Sequence, residues 1–136
     1  MKIRIENQAE MKKFATYIGK KLQEGDILIL KGCLGVGKTF FCSSLINSLQ
    51  TIIETVASPT FNIVSHYKTT KGQINHFDLY RIKNAAELTN INFREVISSG
   101  INLIEWPEIV ENILPDNILK IEIYVEEEIR FIETNF

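Results

Sequence analysis

Gly32-Cys33-Leu34-Gly35-Val36-Gly37-Lys38-Thr39 spells GxxxxGKT, a spacing whose chemistry is the cradling of phosphate. Glycine at 32, 35 and 37 admits backbone angles closed to residues with a Cβ, so consecutive amide N–H groups can turn inward around one anion. Lys38 adds a mobile cation for the outer phosphates, and the Thr39 hydroxyl is a ligand for Mg²⁺. A helix beginning near Lys38 contributes unpaired first-turn N–H groups and the positive end of its dipole. A glycine-rich turn that binds nothing is the plain alternative. The flanks argue against it: Asp26-Ile27-Leu28-Ile29-Leu30 reads as a buried strand before the loop, and a helical pattern follows. Nucleoside triphosphate binding is therefore the working reading.

Such a loop needs a carboxylate for Mg²⁺ and a group to orient the attacking water. Ligands of open α/β sheets sit beyond the carboxyl ends of the strands. Glu105 ends the apolar run Ile101-Asn102-Leu103-Ile104, a Walker-B-like position, and Asp78 lies near the end of another strand. Each also has a purely structural alternative. Glu105 could favour the N-terminus of a helix after Pro107, and Asp78 could pair with Arg81. His66 and His76 are the only histidines. A His-x-Asp pair at 76 and 78 could bind a transition metal, but a histidine so placed is more often a core residue or a support for a neighbouring group. Trp106, by type alone, reads as core.

These residues must be positioned by the elements around them. Lys2 to Glu6 alternates like a strand, and Asn7 with Glu10 resembles a capping box opening a helix. In that helix Met11, Phe14, Ala15, Ile18 and Leu22 form one apolar stripe, with Gly25 as the expected C-terminal cap. Phe41, Leu45 and Leu49 of the helix after the loop should face the sheet. Ile52 to Val56 is β-branched and strand-like, leading into Ala57-Ser58-Pro59-Thr60-Phe61, a candidate switch loop. Asn62 to Lys68 and Gln73 to Leu79 predict an antiparallel hairpin through Thr69-Thr70-Lys71-Gly72. On its second strand Ile74, His76, Asp78 and Tyr80 share one face. Asn84 to Glu87 is a second capping box for a short helix to about Asn90, and another helix is expected from Asn92 to Ser98. Two alternating strands, Ile118 to Val125 and Ile129 to Thr134, flank the acidic turn Glu126-Glu127-Glu128. The expected fold is one α/β domain over residues 1–136, P-loop NTPase-like and three-layered, with a mixed sheet of parallel core and antiparallel hairpin strands.

Composition narrows the partners. A net charge of −2 over 136 residues gives no electrostatic footprint for direct nucleic-acid binding. No apolar run approaches membrane-spanning length, and neither a signal peptide core nor a lipidation motif is seen, so a cytoplasmic protein without a membrane partner is expected. Cys33 and Cys42, the only two cysteines, suit free thiols in a reducing compartment.

Taken together, the loop, Ser58-Pro59-Thr60-Phe61, His76-Phe77-Asp78-Leu79-Tyr80-Arg81 and Ile104-Glu105-Trp106-Pro107-Glu108 resemble the TsaE (formerly YjeE) family. The resemblance implies an ATPase of bacterial tRNA threonylcarbamoyladenosine synthesis. ATP would be held by Gly32, Cys33, Leu34, Gly35, Val36, Gly37, Lys38, Thr39 and Phe40, with Mg²⁺ served by Thr39, Glu105 and Asp78. Thr60 would face the γ-phosphate, and Trp106 would join Glu105 and Asp78 in the catalytic cluster. The implied partners are the TsaD and TsaB proteins, which modify adenosine 37 of tRNAs reading ANN codons, so contact with tRNA would be indirect. Cys33 stands where the family usually has an acid or other polar residue, and Phe40 where a second threonine is frequent.

Two other classes share the loop. A small-molecule kinase usually carries an arginine-bearing lid, whereas only Arg4, Arg81, Arg94 and Arg130 occur here. A nucleotide-switched binding module of GTPase type would need an Asn/Thr-Lys-x-Asp motif, but Thr70-Lys71-Gly72 ends in Gln73.

Overall fold

The apolar run before the loop is buried from both sides, and the rest of the sheet is assembled around it. The computed structural model describes residues 1–52, 55–56 and 63–136. Its strands are β1 (Lys2–Ile5), β2 (Ile27–Lys31), β3 (Val64–Thr69), β4 (Gly72–Asp78), β5 (Ile101–Glu105), β6 (Leu119–Glu126) and β7 (Ile129–Thr134). They form one seven-stranded sheet in the order β1-β7-β6-β2-β5-β4-β3. β6, β2, β5 and β4 are mutually parallel, while β3, β7 and β1 add antiparallel edges. The fold is thus the mixed α/β sheet that the sequence predicts.

Residue alternation divides β2 between two cores. Leu28 and Leu30 pack with helices α1 (Gln8–Lys21) and α2 (Lys38–Leu49), joined by Phe14, Ile18, Phe41, Leu45, Ile74, Leu103 and Ile121. Ile27 and Ile29 face the other way, with Phe77, Leu88, Phe93 and Ile104. That second face is covered by a 3₁₀ segment Ala85–Ile91 and the short α3 (Phe93–Val96). Both expected helices there are shorter or tighter than a regular α-helix, though the Asn84–Glu87 capping box is formed.

Both predicted ends of α1 are informative. Asn7 Oδ1 accepts the Glu10 N–H at 2.9 Å, but the Glu10 carboxylate reaches past Asn7 to the Glu6 N–H at 3.1 Å. At the other end Gly25 is not the cap. The helix closes at Leu22, whose N–H bonds to Ile18 O, and Lys71 from the β3–β4 turn donates to the carbonyls of Lys20 and Leu22. A distant cation thus does what a local glycine was expected to do. Gly25, at φ +94°, instead turns the chain into β2 and donates to Gly100 O.

The strand expected at Ile52 to Val56 is not formed at its described residues Ile52, Thr55 and Val56. β2 is already flanked by β5 and β6, and Ile52 is left 80% exposed, so β-branching there has no ladder to join. At the opposite end of the sheet from the loop, Asn75 and Asn102 are register partners, and Asn75 Nδ2 donates to Asn102 Oδ1 at 2.9 Å. Their amides also bond the carbonyls of Val96, Ile97 and Ser99 and anchor the chain entering β5. Glu127 and Glu128, both at positive φ, make the tight turn between β6 and β7.

Candidate functional site

β2 delivers the loop and α2 receives it. Gly32, Gly35 and Gly37 have φ of +150°, +77° and +119°. The requirement is strictest at Gly32, where a Cβ would lie 2.6 Å from Ile123 O and 2.8 Å from Val36 Cγ1. The loop is already shaped: Val36 is buried, its carbonyl accepts Arg130 Nε at 2.9 Å, and Lys38 Nζ donates to Gly32 O. α2 has no side-chain N-cap and no acid in its first turn. Its leading N–H groups therefore keep an anion-binding end. Arg130 was legible only as one of four arginines, because no local pattern ties β7 to the loop.

Lys38 is buried under Trp106, with Nζ 3.2 Å from the ring centroid. Burial pushes its ammonium below the ordinary value of 10.5, opposed by Glu105, Glu108 and Asp78 nearby. Trp106 itself is held at φ +55°, ψ +59°, a conformation a bulky residue adopts at a cost of about 1–2 kcal/mol. Its ring packs tilted, at 49°, against half-exposed Tyr80 with centroids 4.7 Å apart and lies outside both hydrophobic cores. It roofs the site instead of filling the interior.

The two acids arrive side by side because β4 and β5 are parallel and in register, Asp78 opposite Glu105. Glu105 is 2% exposed. Its Oε1 accepts the Thr39 hydroxyl at 2.9 Å, and its Oε2 lies 2.6 Å from His76 Nε2. Only two short 3₁₀ turns, Pro107–Ile109 and Glu111–Ile113, follow before β6, so Glu105 serves no long helix. Asp78 Oδ1 accepts the Tyr80 N–H at 3.0 Å, which turns the chain at the end of β4.

Gly35, Gly37, Lys38, Thr39, Asp78, Glu105 and Trp106 line one cavity of about 210 Å³. A second cavity of about 220 Å³, lined by Ile5, Met11 and Arg130 among others, shares Gly35, Gly37 and Phe40 with it. A larger hollow of about 400 Å³ at Leu88, Phe93 and Ile113 has neither the loop nor the paired acids. Thr39, Asp78 and Glu105 are hard oxygen donors, the kind Mg²⁺ takes. Leu34 also lines the first cavity, and Cys33 is an exposed free thiol on the loop's rim. Thr60 lies outside the described residues, as do the rest of the expected switch loop from Ala57 to Phe61 and Asn62 of the strand expected after it.

His76 does not pair with Asp78 as a metal-binding couple would; it holds Glu105. Cys42 Sγ, a His76 ring nitrogen and a Glu105 oxygen lie within 4.8 Å of one another. Burial first, then the charges of Glu105 and Asp78, push the Cys42 thiol well above its usual value.

The parallel core, the strand–loop–helix and the acid at the end of the adjacent strand define a P-loop NTPase-like domain. The family model described as "Threonylcarbamoyl adenosine biosynthesis protein TsaE" matches residues 5–132. The chain belongs to the TsaE family, which takes part in tRNA threonylcarbamoyladenosine biosynthesis. The TsaE protein of Rickettsia felis is 37% identical over 124 residues, covering 91% of this chain and 72% of that one. That of Aquifex aeolicus is 35% identical over 129 residues, covering 88% and 92%. The crystal structure of Bacillus subtilis YdiB superposes with a TM-score of 0.75 at 30% identity, covering 97% of this chain and 82% of that one. No helix among the described residues is long and apolar enough to cross a membrane.

Proposed function

We propose that this chain binds Mg-ATP in its phosphate loop and hydrolyses it, driving a TsaD–TsaB complex through its cycle rather than modifying tRNA itself. The observation that carries the reading is the Thr39–Glu105 contact of 2.9 Å directly below the preformed loop. It sets two hard oxygen donors side by side at the start of α2.

In this reading the loop amides and the α2 N-terminus receive the β- and γ-phosphates. Lys38 leaves Gly32 O and the Trp106 face to meet the same oxygens, exchanging a buried position for a charge-assisted bond. The nucleoside end passes across Gly35 and Phe40 into the second cavity. Thr39, Glu105 and Asp78 would hold Mg²⁺, which when bound neutralises charge on the phosphates. Glu105 and Asp78 also orient the water whose oxygen attacks the γ-phosphorus as ADP departs, and a carboxylate beside that water can take its proton. Trp106 excludes bulk solvent from one side.

Among the described residues lining the phosphate cavity there is no arginine. Transition-state charge is then poorly neutralised in the isolated chain, which supports slow turnover alone and acceleration on docking. Steady-state phosphate release at saturating ATP, followed across a titration of TsaD–TsaB complex, tests this. A rise in kcat is expected; a flat titration with demonstrated complex formation would reject site completion by the partner.

A further inference from the structure

We propose that His76 is a positioning residue for Glu105: its Nε2–H, donated to Oε2, fixes the carboxylate so that Oε1 is the oxygen presented to Thr39 and the metal. The inference rests on the reading of Glu105 as the metal and water acid.

The geometry begins with the sheet. His76 lies opposite Leu103 in the β4–β5 register, two residues before the Asp78–Glu105 pair, and shares a face with Ile74 and Asp78. That face meets α2, so the imidazole sits beneath the first turns of the helix that carries Thr39 and Cys42. The ring is 0% exposed and Glu105 is 2% exposed. Bulk water barely reaches this carboxylate, and the 2.6 Å contact is a bond made by Oε2. The terminal torsion of a glutamate is broad and roughly two-fold. One donor on each oxygen, Thr39 on Oε1 and His76 on Oε2, removes that freedom.

A structural histidine would be expected to satisfy both ring nitrogens. Here Nδ1 is buried and has no hydrogen-bond partner among the described residues. The arrangement is understandable if Nε2 is the atom that matters. With the proton on Nε2, the bare Nδ1 is left as an acceptor, and a buried acceptor without a partner is tolerated better than a buried N–H. Packing alone does not explain the choice of residue, since Ile74, Leu103 and Cys42 around it are apolar or neutral and an aliphatic side chain would suit them equally.

The test compares His76→Gln with His76→Asn, whose amides fall near Nε2 and Nδ1 of the imidazole respectively, and adds His76→Leu and Glu105→Ala. Turnover with the partner complex, its half-saturating Mg²⁺ concentration, and ATP affinity without Mg²⁺ are measured for each. Glutamine should retain most of kcat. Asparagine and leucine should lose about tenfold or more in kcat and need more Mg²⁺, with Mg-free ATP affinity unchanged. Should leucine fail to fold, the glutamine–asparagine contrast decides. Equal kcat and Mg²⁺ dependence in those two would overturn the inference. Full activity in Glu105→Ala would instead remove the underlying reading of the acid, a separate outcome.

Discussion

Replacing Gly32 by alanine should unfold the protein more readily than any other single methyl added to the loop. Its Cβ would meet Ile123 O at 2.6 Å and Val36 Cγ1 at 2.8 Å, at φ +150°. Neither neighbour can swing aside: one is β6 backbone and the other is buried. Overpacking of this kind costs about 1–3 kcal/mol and the positive φ about 1–2 kcal/mol more. For a domain of this size the sum of about 2–5 kcal/mol corresponds to a fall in Tm of roughly 6–20 °C. Gly35→Ala is the internal control, because its Cβ would have nothing within 4 Å among the described residues and only φ +77° to pay for. Its Tm should fall by roughly 3–8 °C. Thermal scans of both variants without nucleotide measure the difference. A Gly35→Ala loss equal to or larger than that of Gly32→Ala would refute the claim that the loop is clamped against β6.

Further expectations follow from the loop and its roof. Lys38→Met should lower ATP affinity about ten- to hundredfold by calorimetry while raising the Tm of the nucleotide-free protein at neutral pH. Burial lowers the Lys38 value below 10.5, so in the window between the two the unfolded chain binds more protons and wild type gains stability as pH rises. The Tm advantage of Lys38→Met should accordingly shrink toward pH 10.5, and a constant gap would contradict the burial of the ammonium. Trp106→Phe should reduce partner-stimulated turnover severalfold with Tm unchanged within about 2 °C, since the ring lies outside both cores. A purely thermal effect would return Trp106 to a packing role.

Local chemistry was legible and long-range register was not. The loop, the α1 stripe and the burial of β2 each declare themselves within a few residues, because a glycine pattern or an apolar period needs no partner to be recognised. Glu105 and Asp78 were visible as acids ending strands, but their adjacency depends on the parallel β4–β5 register. The His76–Glu105 bond depends on it too, which is why the sequence reads this histidine as core or support without showing that Glu105 is the group it holds. Gly25 misled for a related reason: Lys71, far away in sequence, reaches the carbonyls that a glycine cap would have satisfied. Arg130 on Val36 O and the Asn75–Asn102 pair likewise join segments with no shared sequence signal.

Thr39 and Glu105 form the proposed hydrolytic centre under the phosphate loop. Phosphate release by wild type and Glu105→Gln, measured side by side at saturating Mg-ATP with TsaD–TsaB present, tests it most directly. The amide keeps the volume and one acceptor oxygen but removes the charge that would meet the metal and the water. Turnover should fall about a hundredfold or more while ATP still binds; wild-type turnover in the folded, nucleotide-bound variant would contradict the account.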